Sequence, residues 1–297
     1  MLKSYWFACL SIPLVIVVTV LPPTTTSAQK AGPQDKGTRN AAAPQRSNRT
    51  ASLGPAILGD RVIDLTHTFD KSTIYWPTED GFRLVPEKAG FTDKGYYYSS
   101  NRFIAAEHGG THLDAPIHFY KDGKSADELS IDRLIGEAAV IDVTEACRKD
   151  ADYQIGVDDL RRWEETQGRQ LVDVIVLLNT GYAKYWPDRK PYLGTDQLGA
   201  DGVAQLHFPG LAPEAARWLC EHRSIKAIGI DTASIDDGQS ERFQSHVTLF
   251  KHGVPAFENV GDMTALPPSG STVIALPMKI GGGSGAPVRI LAILPPH

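Results

Sequence analysis

Between Glu107 and Phe119 the chain reads Glu107-His108-Gly109-Gly110-Thr111-His112-Leu113-Asp114-Ala115-Pro116-Ile117-His118-Phe119. The chain has 297 residues and nine histidines, so an even spread would place about a third of a histidine between positions 108 and 118; three are there. The steps from His108 to His112, Asp114 and His118 are all even. An extended backbone would therefore send all four side chains to one face. A helix would bring His108 and His112 together but turn Asp114 away, and Gly109, Gly110 and Pro116 oppose a helix. The segment reads as a strand end running into a tight loop.

Four ionisable groups facing one way inside a fold are costly unless something neutralises them. Two imidazoles and a carboxylate suit a borderline divalent ion such as Zn²⁺, Mn²⁺ or Fe²⁺. Gly109 and Gly110 would let backbone come close to the ion, and Thr111 can orient a ligand. An ion held from one side, with a position left open, activates water. His118 is then either a proton shuttle, because an ordinary imidazole titrates near neutrality, or a further ligand.

A site of this kind needs a frame, and the sequence supplies one downstream of residue 56. Strand-like runs rich in Val, Ile and Tyr recur at 61–66, 96–107, 138–144, 171–179, 225–231, 272–280 and 288–294. Helical patterns are fewer. They cover 157–167, 213–223, where Pro213 and Glu214 open the first turn, and a short stretch at 131–137. This balance predicts an α/β or α+β domain with mixed sheet pairing. Residues 57–297 carry 24 cations and 34 anions, a net charge of −10. That acidity argues against a phosphate backbone as partner.

The first 56 residues read differently. Lys3, the apolar run from Phe7 to Leu21 and Thr26-Ser27-Ala28 have the order of a secretory leader, 1–28, and the run is short for a bilayer span. Residues 29–56 are poor in large apolar side chains and carry a net +4, so they read as a disordered linker. Asn48-Arg49-Thr50 matches a glycosylation sequon. The expectation is an exported, periplasmic or secreted protein with no membrane attachment after cleavage. Cys147 and Cys220 remain in the mature chain and are expected as two buried thiols rather than a disulfide framework.

The segment His108-Gly-Gly-Thr-His112-Leu-Asp114-Ala-Pro-Ile-His118-Phe resembles the signature of the cyclase family of metal-dependent hydrolases, which includes bacterial kynurenine formamidases and isatin hydrolases. The resemblance runs from about residue 63 to 294. It takes in Asp64-Leu-Thr-His67, Tyr75-Trp76-Pro77, His207-Phe-Pro-Gly-Leu211, Ile228-Gly-Ile-Asp231, Ser245-His246, Phe257-Glu258-Asn259 and Gly283-Ser-Gly-Ala-Pro287-Val-Arg289. It implies a single catalytic domain, 57–297, with the swivelling β/β/α fold, assembled as a homo-oligomer, dimer or tetramer. It implies one or two ions per chain, Zn²⁺ or Mn²⁺. His108, His112 and Asp114 would hold the first, and Asp114, His246 and Glu258 the second, with Glu258 also reaching the first. His118 would be the acid/base residue in attack by metal-bound hydroxide on a small amide or lactam, and Trp76 would line the substrate pocket. The stretch 182–205 is longer than in a minimal kynurenine formamidase and is expected to shape that pocket.

Other residues have plainer readings. Asp231 and Asp236 end a buried-looking strand and are expected as hydrogen-bonding structural acids. His207 lacks a metal-ligand spacing and is expected to be structural. Gly281-Gly282-Gly283 lacks the Lys-Ser/Thr of a phosphate loop. Two other functions use the same residues. Two His and a carboxylate also describe a mononuclear non-haem iron oxygenase, and a non-catalytic periplasmic metal or ligand carrier would need no acid/base residue.

Overall fold

The run Val174-Ile-Val-Leu-Leu-Asn179 is buried along its whole length and sits inside the main sheet of the computed structural model, which describes residues 61–296. The expected leader and linker, and the sequon match at Asn48, lie outside the described residues. The strands are β1 (Val62–Asp64), β2 (Arg83–Phe91), β3 (Tyr97–Ile104), β4 (His112–Asp114), β5 (Ile135–Asp142), β6 (Gln154–Ile155), β7 (Val174–Asn179), β8 (Gly210–Leu211), β9 (Ala227–Ile230), β10 (Ala256–Glu258), β11 (Thr272–Pro277) and β12 (Gly285–Ile293). The α-helices are α1 (Ile131–Leu134), α2 (Thr144–Lys149), α3 (Val157–Gln167), α4 (Arg189–Leu193), α5 (Gly199–Val203), α6 (Pro213–His222) and α7 (Gln244–Lys251).

Eight strands form one mixed sheet in the order β1-β12-β11-β5-β7-β9-β10-β4. Strands β5, β7, β9 and β10 run parallel, and the remaining pairs are antiparallel. Strand β4 also pairs with β12, so the sheet closes back on itself. A strand covered on both faces needs apolar residues at every position, and alternate residues then feed two cores. In β7, Val174, Val176 and Leu178 face a core shared with Leu160 and Trp163 of α3 and Leu219 of α6. Ile175 and Leu177 face the second core with Leu113, Phe257 and Ile290. The mixed α/β domain with a mixed sheet is as expected.

The observed boundaries sharpen the sequence reading. Helix α1 stops at Leu134 instead of 137, because Ile135 is already extended (φ −131°, ψ 126°) and opens β5. Strands β2, β6, β8 and β10 and helices α2, α4, α5 and α7 had no assignment from pattern alone, whereas β4 falls in the segment read as a strand end. Cys147 is buried, but Cys220 is only half-buried, and both are free thiols. Among the described residues no helix is long and apolar enough to cross a membrane.

Candidate metal centre

The centre is built where β4 meets β10. In the three-residue strand His112-Leu113-Asp114 the middle residue enters the inner core, so His112 and Asp114 share the other face. Register then pairs Glu258 directly with His112 and Ala256 with Asp114. Helix α7 lies just upstream of β10 and supplies His246. His112, Asp114, His246 and Glu258 are all buried. Asp114 is the hub. Its Oδ1 lies 2.7 Å from His108 Nδ1 and 3.0 Å from His112 Nε2, while its Oδ2 lies 3.2 Å from His246 Nε2 and 4.0 Å from His118 Nε2. Glu258 Oε2 is 3.4 Å from His112 Nε2, and its Oε1 is 3.0 Å from His246 Nε2.

The convergence is not that of one extended strand. Only 112–114 are extended; His108 and His118 arrive through turns. Gly110 has φ +58°, and a side chain on Gly109 would overlap the Tyr75 ring, so both positions require glycine. After Asp114, Pro116–His118 form a 3₁₀ turn that stacks the His118 ring on His108, with centroids 3.7 Å apart. Thr111 clamps the approach: its hydroxyl donates to the Asn259 carbonyl (2.7 Å) and accepts from the His67 amide.

Each candidate ligand imidazole is held in one orientation. His112 Nδ1–H donates to the Gly110 carbonyl (2.9 Å), which leaves Nε2 facing the carboxylates. His246 Nδ1 lies 2.6 Å from Asp236 Oδ2, and the other Asp236 oxygen accepts the Ser245 amide, so Nε2 again faces inward. Ser284 gives its hydroxyl proton to Glu107 (2.6 Å), so it can only accept from His108 Nε2–H (2.9 Å). That leaves Nδ1 of His108 as the atom facing Asp114. Hydrogen bonds of this sort orient metal-ligating histidines.

These residues fit a divalent cation. His112 Nε2 is buried with no aligned hydrogen-bond partner, though two carboxylates lie within 3.4 Å. Donors about 2.1 Å from one ion subtend about 3.0–3.4 Å between neighbours, as the spacings around Asp114 and Glu258 do. Two compact donor groups emerge, His108–Asp114–His118 and His112–Asp114–Glu258. His118 thus sits with His108 and Asp114, whereas the resemblance pairs His108 with His112.

The electrostatics follow from burial and these pairings. Burial alone would raise Asp114, but His108 and His112 hold it well below the ordinary carboxylate range. Burial opposes charge on His112, yet Asp114 and Glu258 lift it to about 9. His246 is raised well above its usual value against the same penalty by Asp114, Asp236 and Glu258. His118 goes the other way: burial, joined by the neighbouring imidazoles, outweighs Asp114 and lowers it to about 4. In the metal-free protein the charged His112–Asp114 pair stabilises the fold below pH about 6.5, and that contribution is lost as pH rises through about 9. An incoming cation must displace those protons. Metal titration near pH 7 is therefore expected to release about two protons per chain, from His112 and His246, read as the slope of binding enthalpy against buffer ionisation enthalpy. A slope near zero would contradict this protonation pattern.

The centre floors a cavity of about 310 Å³, within the size range of small-molecule pockets. Trp76, Phe119 and Phe243 form its aromatic wall, with Trp76 and Phe119 each packed against Phe243. Phe243 has φ +47°, an unusual conformation for a bulky residue, at the start of α7. The segment 182–205, expected to shape the pocket, contributes no lining residue. It supports the pocket from behind: Arg189 donates to the Tyr75 carbonyl, Trp186 stacks on His67, and the Tyr192 hydroxyl donates to Asn259. His207 pairs with Asp152 away from the cavity, and Asp231 accepts from Thr180 and Ala183, both structural as expected. Asp236 is also a hydrogen-bonding acid, but its partner is His246.

The family model described as "Putative cyclase" matches residues 63–237. The isatin hydrolase of Roseibium aggregatum is 29% identical over 266 residues, spanning 82% of this chain and 97% of that protein. A kynurenine formamidase of Bacillus thuringiensis is 27% identical over 234 residues, spanning 76% of this chain and 94% of that protein. Among solved structures, isatin hydrolase A from Labrenzia aggregata, bound to benzyl benzoate, superposes with a TM-score of 0.71 at 31% identity, covering 80% of this chain and 94% of that one.

Proposed function

The chain belongs to the cyclase family, and on that premise we propose that it is a metal-dependent hydrolase of the carbonyl–nitrogen bond in a small aryl amide or lactam, such as an N-formyl arylamine or isatin. The observation that carries this reading is the buried, carboxylate-centred histidine cluster at the floor of an aromatic cavity. His108, His112 and Asp114 would hold one Zn²⁺ or Mn²⁺, and Asp114, His246 and Glu258 a second. Such an ion supplies Lewis acidity, polarising a carbonyl and acidifying water.

The chain's own residues do the rest. Trp76 and Phe243 grip a flat aromatic substrate and exclude solvent from the reacting carbonyl. His118 is neutral at pH 7, with its ring held against His108 and its Nε2 near Asp114. It accepts a proton from the attacking water and passes it to the leaving nitrogen. Asp236, Gly110 and Ser284 keep the three ligand imidazoles pointed inward throughout. The leader-like order of residues 1–28 supports export to the periplasm or beyond.

A panel containing isatin, N-formylkynurenine and an unrelated peptide tests the reading. Ring opening or deformylation is expected, with the peptide untouched. Turnover that requires Fe²⁺ and oxygen would favour the oxygenase reading, and ligand binding with no turnover would favour the carrier.

A further inference from the structure

The cavity wall carries charge that the metal centre does not use. Of the four carboxylates lining the cavity, Asp114 and Glu258 belong to the floor and face the histidines, while Glu79 and Glu107 lie in neither donor group. No lysine or arginine lines the cavity. Glu107 is half-buried. Its Oε2 accepts from the Ser284 amide (3.0 Å) and hydroxyl (2.6 Å), which leaves its Oε1 without a partner among the described residues. The exposed Glu79 is held beside Trp76, because its amide donates to the Trp76 carbonyl (2.9 Å), and its carboxylate has no partner among the described residues. Tyr75 lines the same cavity. It is 3% exposed, and its hydroxyl is buried without a hydrogen-bond partner, an unused acceptor.

A charge turned toward a partly desolvated cavity with nothing to pair it is costly, and a counter-charge on the ligand removes that cost. The indole face of Trp76, in the same wall, also attracts a cation. Unused anionic acceptors beside an aromatic face form a recognition set for an alkylammonium group. We propose that the substrate is a cationic aryl amide, with an amine on a short arm of the ring, away from the scissile bond, received by Trp76, Glu79 and Glu107. That assignment rests on the reading of the cavity as an aryl-amide site and narrows its substrate class. A cationic amide is favoured over a neutral one, and an anionic amide is turned away by like charge. The basic residues of the hairpin β2–β3 do not reverse the sign. Arg83, Lys88, Lys94 and Arg102 are absent from the cavity lining, and Arg102 pairs with Glu87 (2.9 Å). At the floor, an incoming ion is met by Asp114 and Glu258, so Glu79 and Glu107 set the charge of the wall.

Three N-formyl anilines that differ in one ring substituent provide the test: aminomethyl, hydroxymethyl, and sulfonate, an anion that is a poor metal ligand. With the metal-loaded protein, kcat/KM is expected to fall in that order by about tenfold per step, the size of one partly screened charge pair, and the spread should narrow as salt is raised. Glu79→Gln should cost about tenfold on the aminomethyl compound relative to the hydroxymethyl one, and Glu79→Lys should move the preference toward the sulfonate. The loss should fall on KM, because the ammonium sits away from the reacting carbonyl. Glu107→Gln, compared at equal metal content, should act in the same direction as Glu79→Gln. Calorimetric binding of benzyltrimethylammonium, which can neither be hydrolysed nor ligate a metal, separates charge recognition from turnover. It should bind, and about tenfold more weakly to E79Q. Hydrolysis of all three amides at equal kcat/KM, or a preference that both glutamine substitutions leave intact, overturns the proposal while the hydrolase reading stands. Glu79-dependent binding of benzyltrimethylammonium with none of the amides hydrolysed would remove the hydrolase reading and leave the cation recognition standing.

Discussion

Replacing His118 with alanine is expected to lower kcat on an aryl amide or isatin by about 10²–10⁴-fold, the range supplied by a positioned general acid–base. Metal content should stay at the wild-type level. The expectation rests on two features. Burial keeps the ring neutral at pH 7, so it can take a proton, and the 3₁₀ turn at Pro116–His118 holds it against His108. The same turn brings His118 into a donor group with His108 and Asp114. Elemental analysis of H118A separates the two roles. Lost metal would make His118 a ligand, and full turnover with metal retained would remove it from the chemistry.

Asp114→Asn is expected to have the largest effect of any single substitution. One carboxylate joins both donor groups, so its loss should weaken every metal position. Removing a residue that only orients a ligand costs about 10–100-fold in affinity, and losing the shared ligand should exceed that upper figure. The change also breaks a buried charged cluster, worth about 3–5 kcal/mol when one partner is removed. Glu258→Gln guards against confusing metal loss with unfolding. It leaves His108, Asp114 and His118 in place, so a folded protein should keep part of its metal and lose the rest. Thermal melts and metal analysis of both variants check this. Full metal retention in D114N would sink the shared-ligand assignment.

Much of the centre was legible in the chain. The even spacing of His108, His112, Asp114 and His118 correctly announced convergence, although the route differs: one three-residue strand, two glycines and a 3₁₀ turn replace a single extended face. His246 and Glu258 were visible only through family resemblance, because Glu258 is placed by the β4–β10 register, a pairing across more than a hundred residues, and His246 by helix α7. Asp236 was read as a structural acid, and no local pattern tied it to His246. Glu107 flanks the histidine segment, but its link to His108 runs through Ser284, 177 positions away. Phe243 had no signal at all, since its left-handed backbone is set by tertiary packing. The segment 182–205 was expected to shape the pocket from its length alone; its contacts do so from outside, by buttressing the wall. The exposed hairpin had a readable β3, whereas Pro86 and the register shift beside it interrupt the alternation in β2.

The central claim is that the Asp114-centred cluster holds a divalent ion used for hydrolysis. Its most direct test is anaerobic turnover of isatin and N-formylkynurenine by chelated protein, before and after Zn²⁺ or Mn²⁺ is restored. The account predicts that chelated protein is inactive and that at least one ion restores hydrolysis without oxygen. Undiminished turnover by metal-free protein, or activity that returns only with Fe²⁺ and oxygen, would contradict it.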